Sequence, residues 1–393
     1  MAIDAPIRLL TYSTLYPNPE QPRHGVFVEQ RLRHLIGSGG AVSRVVAPIP
    51  WFPAGRQRRS EVPRVEQRHG IPVTHPRYPI LPGIGMAVAP FLLAAATKRE
   101  VAAQLRSGYD FVAIDAHYFY PDGVAAALIA RSLNKPLVVT ARGSDVNVIS
   151  RYLVPRRQIA WAARRCAAIV TVSQALGKAV IALGIPADRV TTLRNGVDLE
   201  SFRPVDRAAT RRRLGFDGPT LLSVGHLAEH KGHQVAVEAL AALPGVRLVM
   251  AGDGPMEARL RRLARTLGVT DRVRFAGILP QEELLWWYGA ADALVLASSR
   301  EGMPNVVLES LACGTPVLAT PVGGVPEIVS EPAAGVLMTG RDAASLVEAY
   351  RTLFGSPPDR AATRRHAERF AWQPTTEGQL RIFGALRARA GPG

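Results

Sequence analysis

The feature that most constrains this chain is a rhythm. Apolar runs at Ile7–Tyr12, Val42–Ala47, Phe111–Asp115, Leu137–Thr140, Ile169–Val172 and Val190–Leu193 read as strands. Helical patterns at Val26–Ile36, Asp122–Ser132 and Gln174–Leu183 fall between them. Near-continuous apolar strands belong to sheets covered on both faces, and intervening helices imply parallel strands joined by crossovers. The rhythm breaks at Asn195–Pro204, where a turn and a proline precede a charged helix at Asp206–Leu214. It then restarts, with strands at Thr220–Val224, Val246–Ala251, Val273–Phe275, Ala293–Leu296 and Val317–Ala319. The reading is α/β: two doubly wound, Rossmann-like domains, residues 1–200 and 201–371, facing each other across a cleft. Residues 372–393 are expected to form a helix crossing back to the first domain. At 393 residues each half is large enough for its own core. Ligands are expected at the carboxyl ends of the strands.

Composition narrows the class. With 47% apolar and 20% charged residues, disorder and collagen-like repeats are excluded. Two cysteines, Cys166 and Cys313, cannot build a disulfide framework or a four-thiolate zinc site. A reducing, cytoplasmic setting is expected. Residues 1–6 show no basic head leading into an apolar core, so no secretory signal is expected. Tyr78–Thr97 carries no charge between Arg77 and Lys98-Arg99, but Pro79, Pro82, Gly83, Gly85 and Pro90 interrupt it. A buried or interfacial helix from about Ala89 fits better than a membrane span. Residues 1–200 hold 25 basic and 13 acidic side chains, against 23 and 19 in the remainder. That excess suits an anionic membrane or a phosphorylated substrate, although an arginine-rich composition accounts for it equally well. No zinc-finger spacing or aromatic RNA-binding box points to nucleic acid.

The most informative segment is Ser298-Ser-Arg-Glu301-Gly-Met-Pro-Asn-Val-Val-Leu-Glu309, followed by Gly314-Thr-Pro-Val and Gly323-Gly324. A strand ending at Leu296 runs into a loop, and a helix should begin near Pro304. Glu301 then precedes the helix and Glu309 lies inside it, so the two carboxylates have different tasks. Backbone N–H groups over Gly302–Val306 suit a phosphate or sugar hydroxyls.

This phrase resembles retaining glycosyltransferases of the GT-B fold, family 4. Further matches occur in the family's order: Tyr16-Pro with Gly25-Val-Phe-Val, His117, Arg142-Gly-Ser-Asp145, Asn195-Gly-Val-Asp198, Gly225-His with Lys231-Gly232, and Ala251-Gly-Asp-Gly-Pro255. The resemblance spans most of the chain. It implies that Lys231 pairs with the donor diphosphate and that Glu309 binds the ribose. Glu301 would lie at the transferred sugar, Gly302, Met303, Pro304, Asn305 and Val306 would surround sugar and phosphates, and His117 would face the reacting sugar. Gly25 would admit close backbone approach, and Arg142, Asp145 and Asn195 are candidate acceptor or sugar contacts. His226 stands where the family has an arginine, which weakens the positive charge; Arg142 or Arg194 are candidates to replace it.

The activity implied is transfer of a hexose from a nucleoside-diphosphate sugar to a hydroxyl acceptor with retention. The first-half motif is similar to members that build cell-surface polysaccharide or glycolipid, so a lipid-linked acceptor and an anionic membrane surface are expected partners. A nucleotide-sugar epimerase and a non-catalytic sugar-nucleotide binder are the rivals. His226, His230 and His233 have near-helical metal-ligand spacing, but Lys231 and Gly232 interrupt it. With no Asp-x-Asp pair either, neither metal nor cofactor is expected. The first strand is not followed by a Gly-x-Gly-x-x-Gly, and neither a Walker lysine nor a Gly-x-Ser-x-Gly elbow occurs.

Overall fold

A computed structural model describes residues 5–52, 60–81, 83 and 85–390; residues 1–4, 82, 84 and 391–393, on which parts of the expectations above fall, lie outside that set. The chain divides into two compact units, residues 1–195 with 372–393, and residues 196–371.

In the first unit the strands are β1 (Ile7–Tyr12), β2 (Ala41–Val46), β3 (Ile49–Trp51), β4 (Val65–Arg68), β5 (Ile71–Thr74), β6 (Arg77–Pro79), β7 (Ala113–His117), β8 (Leu137–Ala141), β9 (Ala168–Thr171) and β10 (Val190–Thr192). Among the described residues they form an eight-stranded sheet ordered β10-β9-β8-β7-β1-β2-β5-β4, with β3 and β6 paired separately. All pairs in the large sheet are parallel except β4 with β5. Leu9, Ile114, Val138 and Ile169 are buried because helices cover the sheet. The last helix, Gln373–Ala390, belongs to this unit. Its Phe383 and Leu386 pack with Ile7, Leu9 and Val138, and Trp372 stacks on His34 with ring centroids 5.0 Å apart.

Several boundaries differ from the sequence reading by one or more residues, and the units divide after Asn195 rather than at residue 200. β7 runs to His117, whose register with Thr140 of β8 extends the ladder beyond Asp115, so His117 ends the strand rather than following it. The helix expected from Ala89 begins at Gly85 and continues to Arg106. No helix among the described residues is long and apolar enough to cross a membrane.

The second unit contains β11 (Thr220–Val224), β12 (Arg247–Ala251), β13 (Val273–Gly277), β14 (Ala293–Leu296), β15 (Val317–Ala319) and β16 (Gly335–Leu337). They form a parallel sheet ordered β13-β12-β11-β14-β15-β16. The chain winds outward from β11 to β13, then returns to β14 and winds the other way. Doubly wound sheets bind their ligands at such a reversal, just beyond the carboxyl ends of the strands. In the first unit the corresponding reversal lies between β1 and β7. Leu221, Leu248, Met250 and Val295 of the second sheet pack with helix residues Val237, Leu240, Leu260 and Leu346. Each such side chain contributes about 1.5–3 kcal/mol by burial.

Candidate active site

The reversal in the second unit brings together residues seventy positions apart in sequence. The loop after β11 ends in a helical turn, Glu229–Lys231, and Gly232 follows at φ +72°. A Cβ on Gly232 would stand 1.9 Å from the Ala297 carbonyl oxygen, just beyond β14. Only glycine permits that approach, and the approach seats Lys231 against the loop carrying Glu301. Lys231 Nζ donates to Glu301 Oε1 at 2.8 Å, and the Ser298 hydroxyl donates to the same oxygen at 2.7 Å. The two side chains are 27% and 10% exposed, so the pair is partly desolvated yet reachable.

The helix begins at Asn305 with Pro304 as its cap residue, and no side chain caps it. Gly302, Asn305 and Val306 are partly exposed, whereas Met303 and Pro304 are buried. One turn into that helix, Glu309 is buried and accepts a hydrogen bond from the Tyr288 hydroxyl at 2.9 Å. Burial pushes its carboxyl up to about 7, and the Tyr288 hydrogen bond opposes part of that rise.

The three histidines of the β11 loop do not converge on a metal. His233 is buried, its Nε2 donates to the His226 carbonyl at 3.2 Å, and its Nδ1 accepts from Ser223 at 2.8 Å. Both ring nitrogens are thus engaged, and burial depresses its pKa to about 4. Among the described residues no group of three or more His, Cys, Asp or Glu is placed to hold a metal ion. His226 is exposed. His230 has its pKa lowered by burial first, then by the positive charges of Arg300 and Lys231. Arg300 and Lys231 thus both act on the His230 ring, and Arg300 is a cation of this loop pair that the motif comparison passed over.

In the first unit His117, Arg142, Asp145 and Asn195 come together at the carboxyl ends of β7 and β8. Arg142 donates through Nη2 to His117 Nδ1 at 2.8 Å and through Nη1 to Asn195 Oδ1 at 3.0 Å. A guanidinium has no acceptor, so the imidazole proton is on Nε2, which faces Asp115 Oδ2 at 3.3 Å. Asp145 accepts from the backbone N–H of Phe119 at 2.8 Å and of Gly143 at 2.7 Å, and caps this turn. Arg31 is also fully buried, donating to the Leu193 carbonyl at 3.1 Å. Two arginines and two aspartates thus balance inside the protein. Burial lowers Arg142 to about 9 and Arg31 to about 10, and it lowers the His117 pKa as well.

Gly25, at φ +72°, leads into the helix Val26–Gly37. A Cβ there would stand 2.2 Å from the Leu15 carbonyl oxygen, so the glycine closes the β1 loop onto the helix start. Beside this loop lies a pocket of about 830 Å³ lined by Thr14, Glu20, His24, Trp51, Phe52, Glu61 and Tyr78, among others. Sequence reasoning missed this pocket, together with Arg31, Asp115, Ser298 and Tyr288. Asp115 carried a signal, an acid inside an otherwise apolar central strand, which demands a partner. Arg31 carried none, because helix Val26–Gly37 mixes charged and apolar residues as a half-exposed helix does.

Comparison with known proteins decides the family. Residues 206–370 match the model for glycosyl transferases group 1, and residues 24–201 match that for glycosyltransferase family 4. The chain is a family 4 glycosyltransferase. A D-inositol 3-phosphate glycosyltransferase of Catenulispora acidiphila is 31% identical, over 96% of both chains. The glycosyltransferase also shares its GT-B fold with solved structures. Sucrose-phosphate synthase of Thermosynechococcus elongatus superposes with a TM-score of 0.79 at 20% identity, covering 97% of this chain and all of that one. Anabaena Alr3699/HepE in complex with UDP gives 0.74 at 20% identity, covering 96% of this chain and all of that one. The same protein has been solved with UDP-glucose.

Proposed function

We propose that this glycosyltransferase moves a hexose from a nucleoside-diphosphate sugar to a hydroxyl acceptor with retention of configuration, in the synthesis of a cell-surface polysaccharide or glycolipid. The observation that carries this reading is the Lys231–Glu301 pair at 2.8 Å on the β11/β14 reversal. A nucleotide sugar presents a diphosphate and ring hydroxyls on either side of one glycosidic bond. A fixed ammonium beside a fixed carboxylate complements both. Lys231 and Arg300 take the diphosphate charge, with Arg300 supplying the cation that His226 lacks, and the uncapped helix start adds its dipole. Gly302–Val306 surround sugar and phosphates, and Glu309 accepts ribose hydroxyls through the oxygen that does not face Tyr288. No metal is required in this scheme.

In the reaction, the bond from the anomeric carbon to the phosphate oxygen breaks. The acceptor oxygen bonds to the same face of that carbon, and the acceptor proton passes to the departing phosphate oxygen. Charge on the leaving diphosphate rises in the transition state, where Lys231 counts most. His117, held neutral by burial and by the Arg142 guanidinium against the opposing pull of Asp115, serves the sugar by position rather than as a covalent nucleophile. The acceptor's place is the pocket beside Thr14 and His24. Trp51 and Phe52 offer aromatic faces to a sugar ring, and Glu20 and Glu61 offer hydroxyl acceptors. A lipid-linked acceptor on the cytoplasmic face of an anionic membrane fits the basic first half of the sequence.

The test is release of nucleoside diphosphate from a panel of UDP-, GDP- and ADP-sugars, with EDTA, with and without a membrane-lipid extract. Release from one donor, resistant to EDTA and raised by lipid, is the expected result. Binding of a donor without release under every condition would overturn the catalytic reading.

A further inference from the structure

Exposed large apolar side chains are not scattered evenly over this chain. Met86 (46%), Phe91 (50%), Tyr152 (53%), Leu153 (62%) and Val154 (45%) fall on two helices, Gly85–Arg106 and Leu153–Ala163, and the residue just before the second. The helices are tied together where Gln158 Nε2 donates to the Ala87 carbonyl at 2.9 Å. Val154 stands one turn before Gln158 on the same helical face, and Met86 adjoins Ala87, so each apolar group has a member within one turn of that junction. Arg151, Arg156 and Arg157 flank the Tyr152–Val154 run and are exposed. There is no acidic residue between Arg77 and Arg99, or between Val146 and Ala187. Exposed leucine, valine and tyrosine ringed by arginine is a poor surface to leave in water and a good one for the boundary of an anionic bilayer.

We infer that this junction is the surface by which the enzyme sits on an anionic membrane, with Tyr152–Val154, Met86 and Phe91 entering the headgroup–acyl boundary and Arg151, Arg156 and Arg157 meeting lipid phosphates. The inference rests on the membrane reading above and gives it a location. It also explains the uncharged Tyr78–Thr97 stretch. That stretch begins with Tyr78, a wall of the proposed acceptor pocket, and runs on into the docking helix. An acceptor carried on a lipid would then meet the pocket from the membrane side.

The experiment is co-sedimentation of the full chain with vesicles of phosphatidylcholine alone and with phosphatidylglycerol added, at low and high salt. Wild type is expected to pellet only with phosphatidylglycerol and to be released by salt. The Arg156→Glu/Arg157→Glu variant should bind at least about 25-fold more weakly, from roughly fivefold per arginine lost. Leu153→Asp/Val154→Asp should bind at least about tenfold more weakly, since each buried apolar side chain adds to partitioning. Thermal midpoints and donor binding by both variants should stay at wild-type values, because none of these residues belongs to the proposed donor site. If wild type pellets and both variants pellet equally well, the location is wrong while the membrane reading stands. If wild type fails to pellet at low salt, both are wrong.

Discussion

The two sheet reversals invite comparison, because the same topology has been used in opposite electrostatic ways. Between β11 and β14, charged groups stand where a ligand can reach them: Lys231 and Glu301 are 27% and 10% exposed. Between β1 and β7 the charges are sealed: the side chains of His117 and Asp115 are 1% and 2% exposed. An accessible ion pair can exchange its partner for a ligand at little desolvation cost, whereas a sealed, balanced cluster cannot. In the proposed scheme the second unit binds charge, and the first holds one imidazole in a fixed tautomer.

Breaking the accessible pair should have the largest effect on activity. Lys231→Ala is expected to reduce kcat/KM for the donor about 10³-fold, the scale for removing a group that stabilises a leaving charge. Steady-state diphosphate release measures this, and an unchanged value would remove the second reversal from catalysis. Breaking the sealed cluster should show first in stability. Arg142→Met leaves Asp115 and Asp145 facing a single arginine, and denaturant unfolding should record a loss of about 3–5 kcal/mol. A loss below about 1 kcal/mol, the scale of an exposed pair, would mean the cluster is wetter than its burial implies.

Glu309 sharpens the comparison through pH. Its carboxyl is raised to about 7 in the folded protein, from an ordinary value of 4.5. The native state therefore binds the extra proton between those values, and the contribution of Glu309 to stability is full below 4.5 and is lost as pH rises through 7. Replacing it, Glu309→Gln should flatten this slope and be the more stable form at pH 8, by an amount on the order of 2 kcal/mol. Urea midpoints across pH 4.5–8 check the sign, and a wild type that gains stability over that window relative to the variant would refute it. The smallest effect is expected at the β11 loop. Since Arg300 already supplies a second cation in this scheme, His226→Arg should tighten donor binding by less than about tenfold. Calorimetric titration with the nucleoside diphosphate measures it, and a larger gain would show that Arg300 does not fill the vacancy.

Much of this architecture was legible in the sequence because parallel, doubly covered strands write themselves as apolar runs. What escaped was written otherwise. β3 and β6 contain proline, β4 is Val-Glu-Gln-Arg, and the β4–β5 hairpin turns on His69-Gly70 rather than a stronger turn pair. β16 is three residues long. At the site, the motifs marked Lys231 and Glu301 singly, but their contact depends on strand order, which no local pattern records. Tyr288 and Ser298 are common residue types in ordinary surroundings, and only packing reveals that they hold Glu309 and Glu301.

In the proposed scheme Lys231 and Glu301 divide a nucleotide sugar between them, the lysine on the diphosphate and the glutamate on the sugar. The most direct test of that division is calorimetric titration of Lys231→Ala and Glu301→Gln with the free nucleoside diphosphate and with the sugar-bearing donor. Lys231→Ala should lose affinity for both ligands, and Glu301→Gln only the increment added by the sugar. Wild-type affinity of both variants for both ligands would contradict the account.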